Sequence, residues 1–196
     1  MKSMALKKEA NRPKLRYRDY VLFPDNGKRH EIIDGDHFMS PSPSTKHQRV
    51  SRNLEWIIES FLRKEKMGER MGEIFNAPCD VVLSDSDIVV PDLVYISKEH
   101  KDIITEANIQ GSPDLIVEIL SPSNKSYDRV LKKDLYEAFG VKEYWIIDLD
   151  EDAVEVYRLS LPSGKFLAPE VYARSQVLKT GVIPGIEIHL DEVFTS

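Results

Sequence analysis

An aspartate and a glutamate sit in two runs of apolar residues, where a charge is costly to bury without a partner. Asp92 lies near the start of Val90-Pro91-Asp92-Leu93-Val94-Tyr95-Ile96, and Glu118 lies inside Pro113-Asp114-Leu115-Ile116-Val117-Glu118-Ile119-Leu120. Carboxylates placed in this way usually have a cation, a metal ion or several donors as partners. Two of them with a backbone carbonyl make a hard oxygen site suited to Mg2+. Such an ion polarises a phosphoryl oxygen and activates a water for in-line attack. The competing reading is structural: Asp92 caps a turn and Glu118 pairs with an arginine or a lysine.

A lysine shifts the balance. Asp128, Lys132 and Tyr136 recur every four residues, and Gly140 follows at the same interval. Residues spaced by four share one helix face, and a helix is predicted from about Tyr127 to Phe139, ended by Gly140. It begins directly after the Glu118 run, so Lys132 can point at the acid pair. There it would stabilise charge building on a phosphate or orient the attacking water. Asp128 can hold it as an i,i+4 ion pair, which at an exposed site is worth only about 0.3–0.5 kcal/mol. The competing lysine, Lys133, lies about 100° round the helix.

The elements that must position these groups read as follows. Arg29 to Ile33 and His37 to Met39 form a hairpin with Asp34-Gly35-Asp36 at its tip. Ser44 or Thr45 caps a helix reaching about Lys66, in which Val50, Leu54, Ile57, Ile58, Phe61 and Leu62 make one apolar stripe. Two strands are expected over Ile74 to Leu83 and Ile88 to Ile96, with the turn at Ser84 to Asp87. A buried strand follows over Asp114 to Leu120, after a connection with a single helical turn. Lys142 to Leu149 and Val154 to Leu159 read as a hairpin, and the stretches from Val177 onward as short edge strands and a final turn. The strand–helix–strand order over 114–149 is a parallel crossover unit. The hairpins around it make the sheet mixed, with helices on both faces, an α/β class.

The chain has 196 residues, 41% hydrophobic and 31% charged, enough for one domain with a real core. No apolar run is long enough to span a membrane, and no apolar stretch follows the first basic residues as in a signal peptide. The single cysteine, Cys79, cannot form an internal disulfide, which reads as a reducing, cytoplasmic setting. Net charge is −6, which argues mildly against a general nucleic-acid binder. Residues 1–18 nevertheless carry seven basic residues against Glu9. A loose basic arm over 1–15, followed by one domain over 16–196, is expected; the arm could touch phosphates or simply be solvated.

The residues now resemble a known family. Pro91-Asp92, then 25 residues, then Glu118-Ile119-Leu120 is similar to the motif of the PD-(D/E)XK nucleases. The wider pattern resembles the Uma-two family of that superfamily: His30 to Asp36, His47, Ala77 to Leu83, Pro91 to Leu93, Pro113 to Ser123 and Gly140 to Asp148, over roughly residues 16–194. Together these motifs are specific; any one alone is weak. The resemblance implies a restriction-endonuclease-like mixed sheet flanked by helices, with added hairpins, and metal-dependent phosphodiester cleavage. It implies metal ligands at Asp92 and Glu118 and at the Ile119 carbonyl. One position departs from the superfamily pattern: the third residue of the Glu-x-Lys triplet is Leu120. The family pattern suggests Lys132 as the replacement.

The same pattern keeps an acid at Glu31, which would assist the catalytic set or be a salt-bridged strand acid. His47, on the first turn of its helix, is a secondary candidate with Asp128 and Tyr136; a satisfied structural histidine is the commoner case. Asp80 and Asp114 rank lower, since Asp114 lies about 13 Å from Glu118 along an ideal strand. Tyr136 and Trp145 read as core residues. The main expectation is a Mg2+-dependent endodeoxyribonuclease, with Mn2+ as a substitute, using Asp92, Glu118, Lys132 and Glu31 on DNA. A homodimer is expected because cutting both strands needs two sites. The alternative is a catalytically inactive nuclease-fold module that binds nucleic acid or protein. A metal-dependent hydrolase of another phosphate ester is a third reading.

Overall fold

The computed structural model describes residues 13–40, 42–64, 71–121 and 127–195. Most of the expected basic arm, the tail of the helix expected to reach Lys66, and the Pro122-Ser123 end of one family motif lie outside these residues.

A short helix, α1 (Tyr17–Tyr20), leads into the hairpin of β1 (Arg29–Ile33) and β2 (Asp36–Ser40). Asp34 and Gly35 both have positive φ, 48° and 71°, as the tight primed turn of a two-residue hairpin loop requires. The helix α2 (Thr45–Lys64) starts where Ser44 Oγ accepts the His47 N–H at 3.2 Å, so Ser44 supplies the cap. Then come β3 (Gly72–Asn76), β4 (Val81–Ser84), β5 (Asp87–Val89), β6 (Leu93–Ser97), a 3₁₀ turn (Lys98–Ile103), β7 (Ile109–Gln110) and β8 (Leu115–Ile119). A π-helix (Tyr127–Lys132) runs into α3 (Lys133–Ala138). The chain ends with β9 (Glu143–Asp148), β10 (Ala153–Ser160), β11 (Lys165–Phe166), β12 (Glu170–Ala173), β13 (Val177–Lys179), β14 (Glu187–His189) and α4 (Leu190–Val193).

The main sheet has the order β11-β10-β9-β8-β6-β3, with β12 also on β10. Its β8–β9 pair is parallel and the other pairs are antiparallel, so the expected crossover unit is present in a mixed sheet. A second sheet has the order β2-β1-β5-β4-β7.

Two expectations need correction and one needs extension. The two strands predicted over 74–83 and 88–96 do keep their turn between β4 and β5, but each run splits between sheets: β3 and β6 join the main sheet, β4 and β5 the second. Pro78 and Pro91 sit at the breaks, where a residue without an N–H cannot continue a ladder. The second point adds a layer: helices lie on both faces as expected, but a second sheet shares one of them. Helix α2 covers one face of the main sheet through Val50, Leu54, Ile58 and Leu62 packed on Leu93, Tyr95, Val117 and Trp145. The opposite face is covered by the second sheet as well as α3: Ile33, Val81 and Val89 pack with Tyr136 on Val94, Ile116 and Ile146. Third, β13 and β14 form their own two-stranded sheet instead of extending an edge. Leu178, Ile188, Leu190 and Phe194 bury in the α2 core, and that burial sets their position. Among the described residues no helix is long and apolar enough to cross a membrane.

Candidate active site

Strand parity decides which side chains meet. In the β6–β8 ladder Leu93 pairs with Val117, so Asp92 lies opposite Glu118 at one end of the pair. Both acids have the parity of Val94 and Ile116, which face the second sheet. Glu31 shares the parity of Ile33 on β1, which also packs into that layer. The three acids therefore converge between the sheets, with exposures of 2% for Asp92, 4% for Glu118 and 1% for Glu31.

The π-helix brings the cation. Its wider turn suits residues four apart, and such segments are frequent at functional sites. Asp128 and Lys132 are both buried, while Val130 is exposed. Lys132 Nζ lies 2.7 Å from Glu118 Oε1 and 2.8 Å from Glu31 Oε1, with Asp128 Oδ1 at 3.9 Å. The helix expected over 127–139 thus exists with a different first half. Tyr136, one step further, donates its hydroxyl to Glu118 Oε1 at 2.9 Å. It is both a core residue and a site residue. Glu31 Oε1 also accepts the Val90 N–H, and Tyr127 donates to Glu31 Oε2 at 3.3 Å. Leu120, where the superfamily motif has its lysine, is 2% exposed and packs with Val94, Ile116 and Tyr144.

Asp92 has its own partners. Arg29 Nη1 lies 2.5 Å from Oδ1, His47 Nε2 lies 3.1 Å from Oδ2, and the Ile119 N–H donates to Oδ2 at 2.8 Å. His47 thus reaches Asp92, while Nδ1 of its ring is buried with no hydrogen-bond partner among the described residues. Arg29 was missed by spacing arguments. Its signal was available, because Arg29 precedes Glu31 by two residues and so shares its face of the strand. Tyr127 was missed as well; its ring lies 5.4 Å from Lys132 Nζ.

Asp92, Glu118, Asp128, Lys132, His47 and Arg29 line one cavity of about 410 Å3. Its electrostatics are those of a site short of positive charge. Burial, reinforced by Asp128, Asp92 and Glu31 and opposed by Lys132, pushes the Glu118 carboxyl up to about 8. Burial likewise pushes Asp128 up to about 6, against the pull of Lys132. Burial works against the Lys132 ammonium, but Glu118, Glu31 and Asp128 outweigh it and keep the group cationic. At Asp92 burial is outweighed by His47 and Arg29, which hold the carboxyl below its usual range. Among the described residues no three His, Cys, Asp or Glu side chains form a ready-made metal cage. A small divalent cation still fits the donor set. Mg2+ is commonly held by one or two carboxylates and keeps several waters, and an added cation would relieve the charge that raises Glu118.

The weaker candidates lie elsewhere. Asp80 accepts from Tyr20 at 2.8 Å. Asp114 is held at the far end of β8 by Lys142 at 2.7 Å, His100 at 2.8 Å and the Ser97 N–H at 2.7 Å. Trp145 is buried and donates to Glu143. Lys133 pairs with Asp134, away from the cavity.

The chain matches the Uma2 family model, described as "Putative restriction endonuclease", over residues 17–191. An uncharacterised protein of Synechocystis sp. is 29% identical over 130 residues, spanning 65% of this chain and 71% of that relative. A crystal structure titled "a putative nuclease belonging to DUF820", from Anabaena variabilis, has a TM-score of 0.75 at 19% identity, covering 92% of this chain and 98% of that one. That likeness shows a shared fold, the restriction-endonuclease-like arrangement of mixed sheets with few helices. By its match over nearly its whole length, the chain belongs to the Uma2 family.

Proposed function

We propose that the protein is a Mg2+-dependent endonuclease that hydrolyses phosphodiester bonds of DNA. One observation carries the reading. Lys132, from the helix after the Glu118 strand, reaches Glu118 and Glu31 at 2.7 and 2.8 Å inside the cavity that Asp92 also lines. It thereby occupies the role that Leu120 leaves open.

On this reading Asp92, Glu118 and the Ile119 carbonyl hold the ion. When bound, Mg2+, or Mn2+ in its place, would polarise the phosphoryl oxygen and lower the pKa of a water. Lys132 stabilises charge on the phosphate oxygens. Glu31 holds Lys132, and Val90 N–H and Tyr127 hold Glu31. Tyr136 fixes the Glu118 carboxylate, Asp128 supports Lys132, and His47 orients Asp92. Arg29 competes with a cation for Asp92 and is free to turn to a phosphate once one arrives. We further propose one working domain over 16–196 with a basic arm before it, a cytoplasmic setting, and a homodimer, whose mass light scattering would measure.

The test is cleavage of plasmid and end-labelled oligonucleotides with Mg2+, Mn2+ or EDTA. Wild type should cut only with metal, and Glu118→Gln and Lys132→Met should each lose about 10²-fold or more. Wild type as inert as both variants on every substrate would remove the enzyme reading. A second reading then gains, a nucleic-acid- or protein-binding module without activity. The occupation of Asp92 by Arg29 and His47 favours it.

A further inference from the structure

Helix α2 has a second face that its packing does not use. Val50, Leu54, Ile58 and Leu62 point into the core. On the opposite side, at about 100° per residue, Arg49, Arg52, Trp56 and Arg63 fall within about 60° of one another. Trp56 is 72% exposed, a large apolar surface at mid-helix between charged neighbours. Arg63 is tied to Glu59 at 2.5 Å. Arg49 and Arg52 form no ion pair among the described residues, although the protein carries a net charge of −6. Both line a cleft of about 450 Å3 with Thr45, Gln48 and Asn76, and Glu55 is the acid in its wall. Pro43 walls this cleft and also the cavity of Asp92, Glu118 and Lys132, so the two are neighbours across one residue.

Unpaired guanidinium groups on an acidic protein attract phosphates. A rigidly mounted, exposed indole stacks on a base, and only an unpaired base offers its face. We infer that Arg49, Arg52 and Trp56 form a track for single-stranded nucleic acid, which leads a strand to the cavity at the start of α2. What happens to the strand there rests on the nuclease reading; binding along the track does not.

Binding is therefore measured in EDTA, so that no cleavage intervenes. Fluorescein-labelled oligo-dT, oligo-rU and a mixed-sequence duplex are titrated with full-length protein by anisotropy, and tryptophan emission is followed with unlabelled strands. The protein has two tryptophans, and Trp145 is 1% exposed and shielded from direct contact with a strand, so quenching that Trp56→Phe abolishes reports Trp56. The expected result is quenching by a single strand, which binds more tightly than duplex. Trp56→Ala should weaken single-strand binding about 5- to 100-fold and leave duplex binding unchanged, with partial rescue by Trp56→Phe. Arg49→Ala/Arg52→Ala should weaken both and flatten the salt dependence. Preference for dT or rU names the source. No quenching, or unchanged affinity in both variants, overturns the track. So does self-association that Trp56→Ala abolishes without any oligonucleotide response, which makes a second copy the occupant. Binding with quenching but no cleavage in Mg2+ keeps the track and removes the nuclease; cleavage indifferent to all three substitutions does the reverse.

Discussion

Replacing Lys132 with methionine removes one charge from the centre of the site and keeps most of the volume. The ammonium is 3% exposed on its side chain and lies between two carboxylates at 2.7 and 2.8 Å, with a third at 3.9 Å. Removing one partner of a buried ion pair strands the other, at about 3–5 kcal/mol. At about 2–4 °C per kcal/mol for a chain of this size, the Tm should fall by about 6–20 °C. The loss depends on pH with a definite sign. Glu118 is raised in the fold from 4.5 to about 8, so its contribution to stability is present below the unfolded value and is lost as pH rises through about 8. Lys132 is the neighbour that opposes this rise, so without it Glu118 moves higher and the loss continues into more alkaline solution. The gap between wild type and variant should be wider at pH 9 than at pH 6. The assay is thermal unfolding by circular dichroism in EDTA at both pH values. A drop under about 2 °C at pH 9, or equal drops at the two pH values, would refute the claim that Lys132 neutralises buried carboxylates.

Other substitutions separate structural groups from the site. Asp114→Ala orphans the buried Ser97 N–H and should cost about 1–3 kcal/mol, with cleavage per folded molecule unchanged. Burial is outweighed at Asp114 by Lys142 and Ser97, which hold its carboxyl low. Its contribution is therefore in place above about pH 4 and is lost as pH falls through the folded value, so wild type and variant should converge in acid melts. Gly72→Ala would place a Cβ 2.3 Å from the Ile96 carbonyl oxygen and 2.7 Å from the Tyr95 ring. It should destabilise by at least about 1–3 kcal/mol, seen as a lower urea midpoint. Ser44→Ala removes the cap of α2 and should cost about 1 kcal/mol, a Tm drop of a few degrees.

Much of the layout is legible because side-chain period carries it. The apolar stripe of α2 and the Asp34-Gly35 turn follow from spacing alone, and Asp92 and Glu118 stand out as charges in apolar runs, but the face they share is set by the β6–β8 register, since both strands are buried on both sides. Lys132 follows as well, since a helix starting after the Glu118 strand must place its first turns near that strand's end. Arg29 is harder: its long side chain crosses to Asp92 between two sheets, and the second sheet is not visible when runs 74–83 and 88–96 read as single strands. Once Pro78 and Pro91 are taken as sheet-switching points, that layer appears and Arg29 and Glu31 share its inner face. The π-helix is not legible, because Asp128 and Lys132 at four-residue spacing share a face in an ordinary α-helix as well. The terminal hairpin is similar, since its strands look like sheet edges until the α2 core claims Leu178 and Ile188.

The most direct measurement of the central claim is a Mn2+-soaked crystal examined at the manganese absorption edge. The account predicts an anomalous peak flanked by Asp92 and Glu118, with Arg29 withdrawn from Asp92 and Lys132 still against Glu118. A saturating soak that leaves the Arg29–Asp92 pair intact, with no peak beside either carboxylate, would contradict it.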